Sequence, residues 1–273
     1  MKRALTLGIG IVTLAALPAL AADLPPRMVT KAPVMVPVTY NWSGCYIGGF
    51  VGGATQARAT RSTDIGSIGQ GGTFPLYNTA GTNPWDYSRD GSVIGGGTLG
   101  CNYQGAGSPF VFGIEGEVGF IRINSGALEP NSLDVNGSLR TGDWYGLVAG
   151  RLGYAVDRVL FYAKGGAVFY QNRATVIDAG NTVPGFTDTV TATGKKSVAT
   201  WALGGGIEYA MTNNWSVKGE YMYFARSGTF NACGIDANVG QNFCWVQDPP
   251  GIHTAKLGLN YKFDWGGPVV ARY

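Results

Sequence analysis

Residues 253–263 read His-Thr-Ala-Lys-Leu-Gly-Leu-Asn-Tyr-Lys-Phe. In a pleated strand successive side chains point to opposite faces, so this segment separates into two unlike rows. His253, Ala255, Leu257, Leu259, Tyr261 and Phe263 form a largely apolar row, and Thr254, Lys256, Gly258, Asn260 and Lys262 form a polar one. Residues 215–226 repeat the pattern, with Trp215, Val217, Gly219, Tyr221 and Tyr223 on one side and Ser216, Lys218, Glu220 and Arg226 on the other. A two-residue period describes strands, and no stretch after residue 22 holds the 3.6-residue apolar period of an amphipathic helix. Glycine, at 44 of 273 residues, and the aromatics are spread along the chain, which favours β structure over disorder.

Eight segments share this alternation: 46–57, 92–103, 110–123, 144–155, 159–172, 197–210, 215–226 and 253–263. Each is about the length a tilted strand needs to cross a bilayer. The connections between them alternate in length, with 58–91, 124–143, 173–196 and 227–252 long and 104–109, 156–158 and 211–214 short. Outer-membrane barrels show this asymmetry, with tight periplasmic turns and large extracellular loops.

The N-terminus agrees with export. Lys2 and Arg3 precede an apolar run from Ala4 to Leu17, followed by Pro18 and Ala19-Leu20-Ala21, which together have the form of a cleaved secretory signal over residues 1–21. Residues 22–44 carry Pro25, Pro26, Pro33 and Pro37 and read as an extended periplasmic linker. The barrel is expected over 45–263 and a C-terminal tail over 264–273. With 20 Lys and Arg against 17 Asp and Glu in the whole chain, two of the bases inside the signal, the charge is near balance and gives no footprint for nucleic acid.

A soluble β-sandwich also has alternating strands, but the signal, the strand lengths and the loop asymmetry favour a closed, antiparallel, eight-stranded transmembrane β-barrel. One parity rule applied to all eight strands collects Glu115, Glu117, Glu208 and Glu220 with Arg151, Lys164, Lys218 and Lys256 on the inner face. In so narrow a lumen such charges must be paired or hydrated, so a plug of ion pairs is expected ahead of an ion-selective pore. Trp144, Trp201, Trp215, Tyr221 and Trp265 fit bilayer-interface anchors.

Cys45, Cys101, Cys233 and Cys244 allow three pairings in an oxidising compartment. We favour Cys233 with Cys244, clamping the last extracellular loop, and Cys45 with Cys101 across the first two strands. Strict alternation puts Cys45 and Cys101 on opposite faces, so the second bridge calls for a bulge or a loosened strand end. Gly95, Gly97 and Gly100 have dinucleotide-fingerprint spacing but lack the helix such a site needs. His253 is the sole histidine and no G-x-S-x-G turn occurs, which argues against a hydrolase and against a metal site. His253 is expected at the extracellular rim near Trp245, a weak candidate for haem contact, and no cofactor is assigned.

Ala22-Asp23-Leu24-Pro25, the opening Trp42-Ser43-Gly44-Cys45-Tyr46-Ile47-Gly48-Gly49, the run Ile94-Gly95-Gly96-Gly97 and the closing Leu257-Gly258-Leu259-Asn260-Tyr261-Lys262-Phe263 resemble the outer-membrane immunogenic protein family, porin-like relatives of the opacity and OmpA-type barrels. The resemblance implies an eight-stranded surface-antigen barrel. Its members are described as envelope-stabilising proteins, weak porins, adhesins and, in some cases, haem binders. It implies outer-membrane lipid and the barrel-assembly machinery as partners, with envelope or host-surface ligands at the loops. Such barrels usually finish on an aromatic read by that machinery, whereas here Phe263 is followed by a tail to Tyr273. A structural and surface-interaction role, with no enzymatic activity, is the leading expectation, and the alternatives are a small diffusion pore or loop-mediated binding of a ligand such as haem or of a host surface.

Overall fold

Backbone N–H and C=O groups find no water inside hydrocarbon, so a membrane-crossing strand must be paired on both edges. The computed structural model, which describes residues 40–68, 84–130, 135–179, 189–235 and 242–263, meets this condition with a ring. Its strands are β1 (Gly44–Gln56), β2 (Arg61–Ile68), β3 (Trp85–Asp86), β4 (Gly91–Gln104), β5 (Phe110–Leu128), β6 (Val135–Val156), β7 (Val159–Asp178), β8 (Val190–Ala210), β9 (Trp215–Phe224), β10 (Phe230–Ile235), β11 (Asn242–Asp248) and β12 (Ile252–Lys262). Antiparallel pairing runs from β1 through β4, β5, β6, β7, β8, β9 and β12, and β12 returns to β1 with Tyr46 opposite Lys262 and Gln56 opposite Ile252. Every strand of this ring has two partners, and the chain is an all-β, eight-stranded barrel.

The outer face of the lower part is apolar. On β5 the exposed row is Phe110, Phe112, Ile114, Val118 and Phe120, and on β6 it is Trp144, Val148, Leu152 and Tyr154. Aromatics border this band. Phe120 packs edge-on against Trp144 and Trp201 against Tyr223 at the upper margin, while Phe110 meets Tyr154 and Trp215 meets Tyr261 at the lower. From Trp144 to Tyr154 the strand advances about 33 Å, or about 25 Å along the barrel axis at a tilt near 40°, which matches the apolar height of an outer-membrane barrel. Trp265 lies outside the described residues, as do residues 1–39 and the tail.

Above the upper aromatics the two faces exchange character. Along β5 the inner row passes from Glu115 and Glu117 to Ile121 and Ile123, while the outer row passes from Val118 and Phe120 to Arg122 and Asn124. The long connections expected from sequence are therefore partly strand. β5 and β6 continue the hairpin to Leu128 and from Val135, and β7 and β8 extend it to Asp178 and from Val190. β10 joins β8 at Thr193, β11 pairs with β10 and with β2, β2 pairs with β3, and Ser88 N–H donates to Gly126 O on β5 at 3.1 Å. This upper storey encloses Trp85, Tyr87, Val135, Leu139, Ala174, Val176, Val190, Ala192, Ala232 and Trp245. Its alternation is ordinary for a water-bathed sheet with a dry interior, but the apolar row has changed sides, and a lipid-facing pattern ends where it begins.

At the opposite end Tyr40–Ser43, placed by sequence in the linker, pack under the barrel. Trp42 is buried with Val111, Leu160, Tyr162 and Ala210; its Nε1 donates to Asp157 O at 3.1 Å and its backbone N–H to Gln104 Oε1 at 2.8 Å.

The exchange of faces makes a prediction about position. Ile114→Arg should destabilise the barrel by about 2–4 kcal/mol in denaturant unfolding from bilayers, and Asn124→Arg, on the same outward row, by less than about 1 kcal/mol. Equal costs would contradict the boundary drawn here.

Candidate functional site

The eight inward charges lie on six strands, β5, β6, β7, β8, β9 and β12, and converge on one belt of the interior. Each is 5% exposed or less. Lys164 Nζ sits at its centre, 2.6 Å from Glu115 Oε1, 3.0 Å from Glu117 Oε2 and 3.2 Å from Glu220 Oε1. Lys256 Nζ bridges Glu117 at 2.7 Å and Glu220 at 2.8 Å, and Lys218 Nζ reaches Glu115 at 3.2 Å. Arg151 donates to Glu208 and lies 3.7 Å from Glu115 Oε2. Glu208 also accepts from Ser216 Oγ at 2.5 Å and Asn260 Nδ2 at 2.8 Å. All eight residues thus belong to one connected, formally neutral network.

Glu115, Glu117 and Glu220 form a carboxylate triangle of the size that holds a cation. Lys164 supplies that cation from within the chain, so no metal is required to balance it.

Three tyrosines complete the belt, and sequence parity alone did not single them out. Tyr46 donates to Glu115, Tyr145 to Glu117, and Tyr162 to Glu220 at 3.0 Å. Each stands directly opposite a glycine of the next strand: Tyr46 faces Gly100, Tyr145 faces Gly119 and Tyr162 faces Gly206. A Cβ at Gly119 would fall 2.5 Å from Tyr145 Cε1, and one at Gly100 2.5 Å from the Tyr46 hydroxyl. The missing side chain makes the space into which the ring folds, as in other cross-strand aromatic–glycine pairs. The Arg151 guanidinium lies 3.7 Å over the Tyr162 ring, adding a cation–π contact.

Apolar layers flank this belt. Phe50, Ile94, Ile121, Ile123, Tyr145, Leu147, Val168, Met222, Phe224 and Ile252 pack above it, and the Trp42 group packs on the other side.

His253 faces outward. Its Nδ1 is 2.5 Å from the Tyr221 hydroxyl and its ring stacks on Tyr221, with Tyr223 tilted 5.0 Å away. Trp245, expected beside it, is instead buried in the upper storey. Arg226, assigned by parity to the inner row, lies beyond the end of β9 and pairs with Asp248, which also accepts from Arg58 at 2.6 Å. Burial works against the charge on Asp248, but the hydrogen bonds from Arg226 and Arg58 hold its carboxyl below the usual aspartate value.

Disulfides join Cys45 to Cys101 and Cys233 to Cys244. The expectation that Cys45 and Cys101 lie on opposite faces is corrected by the register. They are directly opposed on β1 and β4 with no bulge between them, and directly opposed residues of an antiparallel pair share a face.

A family model described as outer membrane protein beta-barrel domain matches residues 10–263. The chain is similar to the 31 kDa outer-membrane immunogenic proteins of Brucella melitensis biotype 1 and Brucella suis biovar 1, each 29% identical over 258 residues, covering 90% of this chain and 93% of theirs. Among solved structures it is similar to the outer membrane protein OprG of Pseudomonas aeruginosa, at 14% identity and a TM-score of 0.49, over 82% of this chain and 98% of that one. That likeness is too slight to add to the ring of pairings described above.

Removing Lys164 leaves buried carboxylates without their shared cation, an arrangement that typically costs about 3–5 kcal/mol. Lys164→Met should lower barrel stability by that order in urea titrations, and adding Glu117→Gln should recover a substantial part by restoring neutrality. A neutral Lys164→Met would show that the belt does not act as one network.

Proposed function

The chain belongs to the family of outer-membrane β-barrel proteins, and from that premise we propose that it is a non-conducting barrel whose work is structural and surface-directed. The observation that carries this reading is the layered interior. An electroneutral belt of eight paired charges sits between two apolar layers, and Trp42 closes the periplasmic mouth. Ion passage would require water in both apolar layers and at least one broken ion pair in the belt between them.

Below the aromatic margin the barrel is held in outer-membrane lipid. Above it the sheet continues as a stiff platform, stapled by Cys233–Cys244, that lifts the extracellular loops clear of the membrane surface. A protein built in this way strengthens the envelope and presents its loops to ligands or to a host surface. Relatives named as immunogenic proteins fit such presentation. Residues 1–21 serve export, the segment from 22 leads to the barrel from its periplasmic side with Tyr40–Ser43 packed beneath it, the barrel runs from Gly44 to 263, and 264–273 follow it as a tail. The assembly machinery of the outer membrane is the expected partner in folding. No residue set in the belt has the free base, nucleophile and substrate space of a catalytic site, and the His253 Nδ1 is engaged by Tyr221.

Purified protein reconstituted in planar bilayers should give no stable single-channel steps, while Trp42→Ala combined with Lys256→Met should increase leak conductance. Reproducible steps from the unaltered protein would overturn the reading.

A further inference from the structure

We propose that the outward basic cluster of Arg122, Arg140 and Arg173 around Asp143 is a binding site for the phosphorylated headgroup of an outer-leaflet glycolipid. The inference rests on the assignment of the upper storey to the extracellular side.

The cluster lies one step above the upper aromatic margin. Arg122 follows Phe120 on the same outward row, with its guanidinium carbon 5.1 Å over the Phe120 ring, and Phe120 packs edge-on against Trp144 at 6.1 Å. This fixes its depth at the level where headgroup phosphates meet acyl chains.

The charges are also arranged against their own interest. Arg140 is directly opposite Arg173, and Arg173 directly opposite Lys195, so three cations stand side by side across β6, β7 and β8. Like charges in directly opposed positions repel. Among the described residues one carboxylate, Asp143, meets the three arginines. Asp143 accepts from Arg122 Nε at 2.9 Å and from Arg140, and lies 3.8 Å from Arg173 Nη1. Four cations against one acid leave three positive charges in excess, and the three arginine side chains are 38–48% exposed.

The backbone is shaped to hold this geometry. Between Thr141 and Gly146 the register of β6 against β7 shifts by two residues. Gly142 has φ +95° and Asp143 φ +112°, a conformation that L side chains rarely adopt. Asp143 is opposite the inward Ile121, yet its carboxylate reaches the outward arginines. An otherwise regular strand thus spends an irregularity on fanning guanidinium groups around a single anion. Guanidinium forks match phosphate oxygens in pairs, so a phosphate monoester or diester at this depth is the ligand the site fits.

The test uses the full protein extracted from outer membranes in mild detergent, with native mass spectrometry counting bound lipid. The probes are bisphosphorylated lipid A, its dephosphorylated form and inorganic phosphate. The unaltered protein should prefer the phosphorylated lipid by about tenfold or more, the value expected for a few charge-assisted hydrogen bonds. R122Q/R140Q/R173Q should lose that preference, and Arg61→Gln, elsewhere on the upper storey, should keep it. Should the triple variant fail to give the heat-dependent gel shift of a folded barrel, Arg173→Gln alone should show a partial loss. Equal retention of both lipids by the unaltered protein, or an unchanged preference in the folded variants, would overturn the proposal. Full competition by inorganic phosphate would also overturn it, because the site would then hold a free anion. Absence of the gel shift from the unaltered protein would instead sink the barrel reading itself.

Discussion

Everything in this molecule follows from the need to pair each backbone edge in a solvent that offers no hydrogen bonds. Closure into a ring meets that need, and eight strands close at a radius that leaves room inside for side chains alone. The interior must then be filled from a row whose alternate neighbours are committed to lipid. A row that was also apolar would make each segment hydrophobic on both faces, a hazard for a chain that crosses water before it folds. Charged and polar groups avoid this, provided that they satisfy one another once the ring closes. The Lys164-centred belt is that satisfaction, and the tyrosines folded over Gly100, Gly119 and Gly206 supply further donors beside Ser216 and Asn260.

The same constraint explains the boundary near Phe120. Once a strand leaves lipid its outer face meets water, and the cheaper arrangement is the ordinary one, polar outside and apolar within. β5 through β8 make that exchange within continuous strands, with one register shift between β6 and β7 at Thr141–Gly146, so a single set of strands serves two solvents. The upper storey therefore continues the barrel wall.

Much of this was legible in the chain because a two-residue period is a strong signal wherever one face meets lipid. The alternation of His253 to Phe263 and the parity of Glu115, Glu117 and Lys164 led directly to the barrel and to its inner charges. The upper strands were hidden for a physical reason. Residues 124–128 and 135–140 keep the period but reverse the face, and so read as the end of the pattern. The tyrosine–glycine pairs were hidden for another. Tyr46 and Gly100 become neighbours only through the register of β1 on β4, which local sequence does not reveal. Register also decides Cys45 with Cys101, where counting faces strand by strand gave the wrong side. Arg226 escaped its assigned row because β9 ends at Phe224, two residues before it.

The account's central claim is the exchange of faces along one continuous wall, and site-directed spin labelling along β5 tests it most directly. Labels at even positions from 110 to 120 should be accessible to oxygen, and those from 122 to 128 to a water-soluble relaxing agent. Labels at odd positions from 111 to 127 should be shielded from both. Aqueous accessibility at odd positions, or lipid accessibility continuing to residue 128, would contradict the account.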